Sequence, residues 1–285
     1  MLDIPIVFED ETLLVINKPA QVVVNKAESV IGETIQDWAD EKLKIKNEKL
    51  KIDEESDFYK RAGIVHRLDK ETSGLLIIAK TPQAFFNLQT QFKDRKISKK
   101  YTALVHGDVK PPAGEVRANI GRLPWNRERF GILPAGKEAT TKYKVIAYYK
   151  FIPLSSQALR GDLYESVKIA SPVARDRNDT FSLLEVTPAT GRTHQIRVHL
   201  KYLGHSIVSD MFYAGRKVYR EDKIFCPRLF LHASYLKFKH PVSEKEIEVK
   251  SKLPVELKKV LDGLERNELS NQQILKSTNY PISNI

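Results

Sequence analysis

The apolar run LLIIA, residues 75–79, constrains the fold of this chain more than any other stretch. It lies between Gly74 and Pro82, which leaves room for a short strand but not for a helix of ordinary length. Five consecutive apolar residues indicate a strand that is buried on both faces. The polar stretch IVHRLDKETSG before this run (64–74) is therefore expected to contain a loop that the buried strand anchors.

The regions around this strand predict a mixture of helices and strands. The stretch 81–95 begins with Thr81 as a helix cap and Pro82 at the first helical position. Its apolar residues then repeat along one face, which predicts a helix. Upstream, a strand hairpin is expected within residues 4–19 and a short helix within 32–43. Further strands are predicted in KKYTALVHGDV, ATTKYKVIAYY, FSLLEVT and RLFLHASYLKFKHP, a terminal helix in PVELKKVLDGLE, and an amphipathic helix or strand in GRTHQIRVHLKYLG.

This order of elements predicts a single α+β domain over residues 1–265. Two polar stretches of irregular pattern, about 44–60 and 149–178, are expected to be insertions. Residues 266–285 are mostly polar and are expected to form a loosely attached tail.

Composition excludes several classes of protein. The chain has 285 residues, of which 41% are hydrophobic, and this suits a globular domain. It has neither an apolar run of membrane-spanning length nor a start typical of a signal peptide, so we expect a cytoplasmic protein without a membrane partner. Cys226 is the single cysteine, which excludes an internal disulfide.

The formal net charge of +11 suggests a polyanionic partner. Its distribution is informative, because FKDRKISKKY (92–101) has five basic residues and one acidic residue. We treat this stretch as a hypothetical phosphate-binding stripe. Its basic residues are Lys93, Arg95, Lys96, Lys99 and Lys100.

Several kinds of catalytic site are not supported. His194 and His199 are five residues apart, which does not match the spacing of a zinc-binding pair on one helical face. There is no glycine-rich phosphate loop and no G-x-S-x-G nucleophile motif. We therefore expect neither a metal nor a nucleotide cofactor.

The remaining candidates are a carboxylate, a tyrosine and arginines. HRLDKETSG supplies Asp69, KKYTALV supplies Tyr101, and GRTHQIRVHL supplies Arg192 and Arg197. Taken alone, each has an ordinary structural explanation: a turn aspartate, a strand aromatic and surface arginines. Asp69 could equally be a metal ligand or an ion-pair partner.

Together, these motifs resemble the RluA-type RNA pseudouridine synthases. HRLDKETSGLLIIAK resembles the signature of that family, KKYTALVHG its tyrosine motif, and TGRTHQIRVHLKYLGHSIVSDMFYAG its arginine motif. NKPAQVVVN is similar to the N-terminal motif, with Gln21 and Asn25 where glycine and histidine are usual. Ser206 and Ser209 stand where proline and glycine are usual, and RLFLHASYLKFKHPVS resembles the closing strand. The resemblance extends from about residue 8 to residue 264.

The resemblance implies a domain with a central, largely antiparallel, bent β-sheet flanked by helices and loops. It also implies that uridine in RNA is converted to pseudouridine without a cofactor. Asp69 would be the catalytic carboxylate, and it would either attack the ribose or assist formation of a glycal. Arg197 would pair with Asp69 and keep it ionised. Tyr101 would stack near the target base and help remove the proton from carbon 5.

The same family positions suggest which residues contact RNA. The target uridine must be flipped out of its stack, and Arg67 would fill the space that it leaves. His66 matches a neighbouring signature position, where it would contact RNA or the protein backbone. Arg192 and the basic stripe complete the predicted RNA-binding residues.

Two other functions remain open, a carboxylate-dependent glycosidase and an RNA-binding protein without activity. A glycosidase usually needs a second carboxylate, and no comparable one is seen. The expected substrate is large-subunit ribosomal RNA, or else transfer RNA. We expect no separate N-terminal RNA-binding domain and no obligatory protein partner, and a monomer is the simplest expectation.

Overall fold

The computed structural model describes residues 2–28, 30–43, 55–151 and 180–267. Most of both predicted insertions and nearly all of the predicted tail therefore lie outside the described residues. The fold is α+β, with a large, mostly antiparallel sheet and few helices, which confirms the predicted class. Within these ranges, no helix combines the length and the apolar composition that crossing a bilayer requires.

The strands and helices follow the predicted order, with several additions. The helices are α1 (Ile35–Leu43), α2 (Asp57–Lys60), α3 (Pro82–Lys93), α4 (Gln195–Tyr202), α5 (Arg216–Asp222) and α6 (Val255–Asp262). The strands are β1 (Ile6–Glu9), β2 (Leu13–Lys18), β3 (Ser73–Ala79), β4 (Ser98–His106), β5 (Ala113–Arg117), β6 (Ile120–Leu123), β7 (Asn126–Ile132), β8 (Thr140–Phe151), β9 (Thr180–Pro188), β10 (Leu231–Lys239), β11 (Glu246–Lys250) and β12 (Leu264–Arg266).

The chain divides into two compact units. The first unit comprises Met1–Tyr101 and His232–Lys252, and the second comprises Thr102–Leu231 and Leu253–Ile285. The division falls inside β4, after Tyr101, and inside β10, after Leu231. Of the predicted catalytic residues, Asp69 and Tyr101 belong to the first unit, and Arg197 belongs to the second.

The first unit is built around β3. All seven residues of this strand are buried, as the run LLIIA predicts. β2 pairs antiparallel with both β1 and β3, and β3 pairs parallel with β10. β10 pairs antiparallel with β11. The loop that contains Asp69 therefore leads directly into a strand with neighbours on both sides.

Two helices of this unit complete its apolar core. The α3 helix begins as predicted, with Thr81 Oγ1 accepting a hydrogen bond from the Ala84 N–H at 3.2 Å. Its Phe85 is fully buried and meets Phe58 of α2 edge to face, with ring centroids 5.7 Å apart. Phe58 lies in the stretch 44–60 that the sequence predicts to be an insertion, and it is fully buried. The end of that stretch therefore contributes to the core.

The second unit is built around the long strand β8. It pairs antiparallel with β9, β5 and β12. β6 and β7 form a separate hairpin. The stretch for which sequence leaves helix or strand open forms the helix α4. The order of polar and apolar residues in this stretch matches neither the helical nor the strand period, because polar residues of the helix are buried as well as apolar ones.

Candidate active site

Backbone hydrogen bonds hold the Asp69 loop against the N-terminal motif. The Asp69 carbonyl accepts from the Thr72 N–H at 3.1 Å, and the Lys70 carbonyl accepts from the Gln21 N–H at 2.7 Å. The Asp69 side chain is partly exposed. The carboxylate is thus presented from a loop whose backbone is fixed on both sides.

A fully buried lysine reinforces this loop. Lys18 Nζ donates to the carbonyl oxygens of Pro19 and Val22 at 2.8 Å each, and to that of Lys70 at 3.2 Å. A buried ammonium is costly unless its protons find acceptors. Lys18 therefore ties the N-terminal motif to the residue that follows Asp69. Sequence reasoning missed this role, although Lys18 lies inside a motif that resembles the family.

Gly74 follows the Asp69 loop, and the backbone of Ala233 approaches it closely. Its φ of 117° is one that other residues rarely adopt, and a Cβ there would lie 2.3 Å from the Ala233 carbonyl oxygen. Gly74 and Ala233 are partners in the parallel β3–β10 pairing. The glycine of the signature is therefore required by the approach of β10.

His66 points into the protein. Its Nε2 accepts a hydrogen bond from the Ile77 N–H at 2.9 Å, and its ring stacks on Phe92 with centroids 4.5 Å apart. Burial, with a smaller contribution from the charges of Lys99 and Arg61, lowers the pKa of His66 to about 3. The His66 ring is therefore neutral, and its hydrogen bond links the Asp69 loop to β3. The neighbouring Arg67 is exposed.

Tyr101 shares an electrostatic environment with Asp69. Burial raises the pKa of the Tyr101 phenol far above its usual range, and the negative charge of Asp69 raises it further. The effect of Asp69 requires that the two side chains lie near each other. Tyr101 is therefore a neutral phenol at physiological pH, next to the carboxylate.

The second unit holds Arg197 by a buried ion pair. Its Nε and Nη2 each donate to a different carboxylate oxygen of Asp210 at 2.8 Å, and both side chains are almost completely buried. Asp210 Oδ1 also accepts from the N–H groups of Phe212 and Tyr213. The rings of these two residues flank the guanidinium, whose Cζ lies 5.3 Å and 5.4 Å from their centroids.

This arrangement fixes the plane of the Arg197 guanidinium. Asp210 was not identified from the sequence as the residue that pairs with Arg197. The residue lies inside the arginine motif, thirteen positions after Arg197, so its place in that motif was the available signal. A guanidinium has five N–H donors, so pairing with Asp210 is compatible with a second carboxylate. The pairing of Arg197 with Asp69 stays a prediction.

Buried polar contacts also fix the N-terminal end of α4. Gln195 Oε1 accepts from Thr190 Oγ1 at 2.6 Å and from the Arg192 N–H at 2.9 Å. Its Nε2 donates to the Thr140 carbonyl at 2.9 Å and to Thr141 Oγ1 at 3.0 Å. The side chain of Arg192 donates through Nε to the Glu138 carbonyl at 3.1 Å and is partly exposed.

The predicted basic stripe divides into two groups. Lys93, Arg95 and Lys96 are exposed, and Lys96 pairs with Asp94 at 3.0 Å. The ammonium of Lys99 lies 5.7 Å from the Phe92 ring centroid, and that of Lys100 lies 5.3 Å from the Tyr235 ring centroid. Burial also lowers the pKa of Lys99. The last two cations are thus partly engaged with aromatic rings, and phosphate binding by the stripe stays a prediction.

Comparison with known proteins agrees with these motifs. Residues 12–202 match the family described as RNA pseudouridylate synthase. A Helicobacter pylori protein described as an uncharacterized RNA pseudouridine synthase is 34% identical over 276 residues, which cover 95% of this chain and 74% of that protein. The ribosomal large subunit pseudouridine synthase D of Zymomonas mobilis is 35% identical over 267 residues, which cover 90% of this chain and 71% of that protein.

Solved structures give the same result. Human RNA pseudouridylate synthase domain containing 1 matches with a TM-score of 0.64 and 25% identity, over 98% of this chain and 97% of the human chain. Human RNA pseudouridylate synthase domain containing 4 shares the fold, with a TM-score of 0.61 and 23% identity, over 92% and 94% of the two chains. The resemblance stated from the motifs is confirmed: this chain belongs to the RNA pseudouridylate synthase family, whose members are isomerases that convert uridine to pseudouridine in RNA.

Proposed function

We propose that this enzyme modifies uridines of large-subunit ribosomal RNA, with Asp69 as the catalytic carboxylate. The proposal on the substrate is supported by relatives such as the Zymomonas mobilis protein, whose name specifies the ribosomal large subunit. Transfer RNA is the second candidate substrate. The excess of basic residues in the chain is compatible with either polyanion.

The observation that carries the assignment of Asp69 is its effect on Tyr101. The charge of Asp69 contributes to the raised pKa of that phenol, so this carboxyl group lies near an aromatic ring of the same unit. The reaction breaks the bond between ribose C1′ and base N1, and then forms a bond from C1′ to C5 of the same base. A carboxylate can act on the ribose while an aromatic face holds the detached base.

For Tyr101, we propose two tasks that a neutral phenol can perform. Its ring stacks on the target base, and its hydroxyl oxygen accepts the proton that leaves C5. Because burial and Asp69 raise the pKa of this phenol, the hydroxyl must release its own proton as it accepts the one from C5. The final proton acceptor is N1 of the base, which carries a hydrogen in the product. The raised pKa argues against a stored phenolate as the base.

We assign Arg197 the role of keeping the catalytic carboxylate ionised. Its guanidinium is positioned by Asp210 and two aromatic rings, so its direction is set before substrate binds. Arg67, which is exposed beside the Asp69 loop, would occupy the space left by the flipped uridine. Arg192 would contact the RNA backbone.

The proposal includes no cofactor, because isomerisation moves neither electrons nor atoms to a second molecule. It also includes a monomer that acts in the cytoplasm. These three expectations are independent of the residue assignments above.

The test is to map pseudouridine in total RNA from source cells that lack this gene. Complementation with the wild-type gene should restore a specific site, which we expect in large-subunit ribosomal RNA. Complementation with Asp69→Asn should not restore it, because the amide cannot act as a carboxylate. Asp94→Asn, which removes an exposed carboxylate of the same unit, is the matched control and should restore the site.

Restoration by Asp69→Asn would overturn the catalytic assignment. A restored site in transfer RNA would replace the ribosomal substrate with the second candidate. If the deletion changes no site in any RNA, the proposed substrate class is wrong.

A further inference from the structure

The β6–β7 hairpin, residues 120–132, has an exposed tryptophan at its turn. The strands are joined through Pro124 and Trp125, and Trp125 is 76% exposed. The other tryptophan of the chain, Trp38, is 5% exposed and belongs to the core of the first unit. Trp125 contributes little to packing, so its large ring is available to a partner.

The hairpin is also strongly basic. Residues 120–132 contain Arg122, Arg127 and Arg129 against the single acidic residue Glu128. In the described part of the chain, none of these three arginines has an ion-pair partner. Some other cations of the same unit do have such partners. Arg117 and Lys142 pair with Glu115, and Lys150 pairs with Glu265.

The base of the hairpin is firmly attached to the second unit. The Phe130 N–H donates to the Tyr213 hydroxyl at 3.1 Å, and the Phe130 ring meets His194 edge to face at 5.6 Å. Ile120 forms a small apolar cluster with Ala139 and Val198. A fixed base with an exposed turn is suited to hold a side chain at a defined place for binding.

The cations of the hairpin continue toward Arg197. The guanidinium of Arg129 lies 6.0 Å from the Phe212 ring centroid, and that of Arg197 lies 5.3 Å from the same centroid. Four strand residues lie between Trp125 and Phe130, so the path is five residue steps, roughly 16 Å at about 3.3 Å per residue. An RNA strand that reaches Arg197 would therefore have a few further nucleotides beside the hairpin.

We propose that this hairpin is an RNA-binding finger in which Trp125 stacks on an unpaired base near the target uridine. Arg127 and Arg129 contact the phosphates of the same strand. The inference rests on the proposed RNA substrate and specifies its form: the flanking nucleotides are single-stranded, since a paired base offers no open face for stacking. Arginines without an ion-pair partner among the described residues, on the same hairpin as an exposed indole, fit a polyanion with bases better than a protein surface.

Tryptophan fluorescence provides the test, because the chain has one exposed and one buried tryptophan. A single-stranded 12-nucleotide RNA should quench the emission of the full-length wild-type protein, and a fully paired duplex of that RNA should quench it much less. Trp125→Phe should abolish the quenching and keep the RNA affinity within about threefold, because phenylalanine still stacks. Trp125→Ala should weaken binding roughly tenfold, within the range measured for loss of one base–aromatic stack.

The charges are tested by the salt dependence of binding. Arg127→Gln should lower the slope of log affinity against log salt by about 0.7, the value for one phosphate contact with a single strand. Phe86→Ala is the matched control for Trp125→Ala, because Phe86 is 51% exposed on a helix of the first unit. The control should leave RNA affinity, quenching and the salt slope unchanged.

Pseudouridine formation by the purified wild type and Trp125→Ala, on total RNA from cells that lack the gene, distinguishes the RNA-binding finger from the proposed function. If the wild type forms pseudouridine but Trp125→Ala binds and converts RNA with unchanged KM, the finger is not an RNA site and the proposed function stands. If the duplex quenches Trp125 as strongly as the single strand, stacking on an unpaired base is excluded. If the wild type neither binds nor converts any RNA, the proposed function itself fails.

Discussion

The two units of this enzyme hold their proposed catalytic side chains by different physical means. In the first unit, the Asp69 loop precedes a strand buried along its whole length, and backbone hydrogen bonds fix its conformation. In the second unit, Arg197 is held by side chains that are themselves polar and buried, above all Asp210. The position of Asp69 depends on an apolar frame, and that of Arg197 depends on a polar network.

This difference predicts different sensitivity to substitution. An apolar frame tolerates the loss of a single contact, because its stability is spread over many small contributions. A buried polar network depends on each member, because removal of one partner leaves another polar group without compensation. The structure around Arg197 should therefore be more sensitive to substitution than the structure around Asp69.

The largest effect is expected for Asp210→Asn. The substitution preserves volume but removes the negative charge that Asp210 sets against the buried Arg197 guanidinium. We expect a loss of about 3–5 kcal/mol in the free energy of unfolding, as found when one partner of a buried pair is removed. Urea unfolding of the purified variant measures this loss.

The matched control is the pair of Arg228 with Glu256, in the same unit. Glu256 Oε1 also accepts from two guanidinium nitrogens, but its side chain is 47% exposed. Glu256→Gln should lower the free energy of unfolding by no more than about 1 kcal/mol, as is typical of exposed pairs. Equal losses for the two variants would show that burial of the carboxylate does not determine how much each pair contributes.

A smaller loss, about 2 kcal/mol, is expected for Lys18→Met in the first unit. The substitution keeps the apolar stem but removes the ammonium that binds the carbonyls of Pro19, Val22 and Lys70, and buried acceptors without donors are costly. Because Lys70 follows Asp69, kcat should fall more than RNA affinity.

Lys80→Met tests whether this effect requires burial. Lys80 Nζ donates to Glu9 Oε1 at 3.0 Å and to the Asp10 carbonyl at 2.6 Å, but its side chain is 25% exposed. Water can replace some of these contacts, so Lys80→Met should lower the free energy of unfolding by less than about 1 kcal/mol. An unchanged kcat for Lys18→Met would mean that Lys18 does not position the Asp69 loop.

The same contrast explains what the sequence could predict. The elements of the first unit follow from apolar periodicity: the hairpin of β1 and β2, the buried β3, and α3 with its Thr81 cap are all found as expected. Phe58 is the exception, because the helix that places it in the core is only four residues long. A single turn of helix has no period from which to infer it.

In the second unit, local patterns were less informative. The strands β5, β6 and β7 are short and contain many exposed or half-buried residues, so alternation does not reveal them. α4 buries Gln195, Arg197 and His199, which obscures its amphipathic pattern. The partners Thr141 and Asp210 are determined by tertiary structure, and no spacing rule identifies such partners from one sequence.

Two departures from the family pattern affect the backbone directly. Gln21 and Ser209 stand where the family usually has glycine, and both adopt positive φ, 69° and 57° respectively. Residues other than glycine are strained in this region by roughly 1 kcal/mol. Gln21 is exposed, whereas Ser209 is buried and donates through its hydroxyl to the Cys226 carbonyl at 2.7 Å.

The smallest effect is expected from restoring these glycines, and it should differ between the units. Gln21→Gly relieves strain without losing a side-chain hydrogen bond in the described structure, so the free energy of unfolding should rise by about 0.5 kcal/mol. Ser209→Gly relieves similar strain but removes a buried hydrogen bond worth about 1 kcal/mol, so it should be neutral or slightly destabilising. Urea unfolding of both variants, with Ser209→Ala to isolate the hydroxyl, measures the difference. Equal stabilisation by both glycines would show that the hydroxyl of Ser209 does not offset its backbone strain, and that polar contacts in the second unit contribute less than proposed.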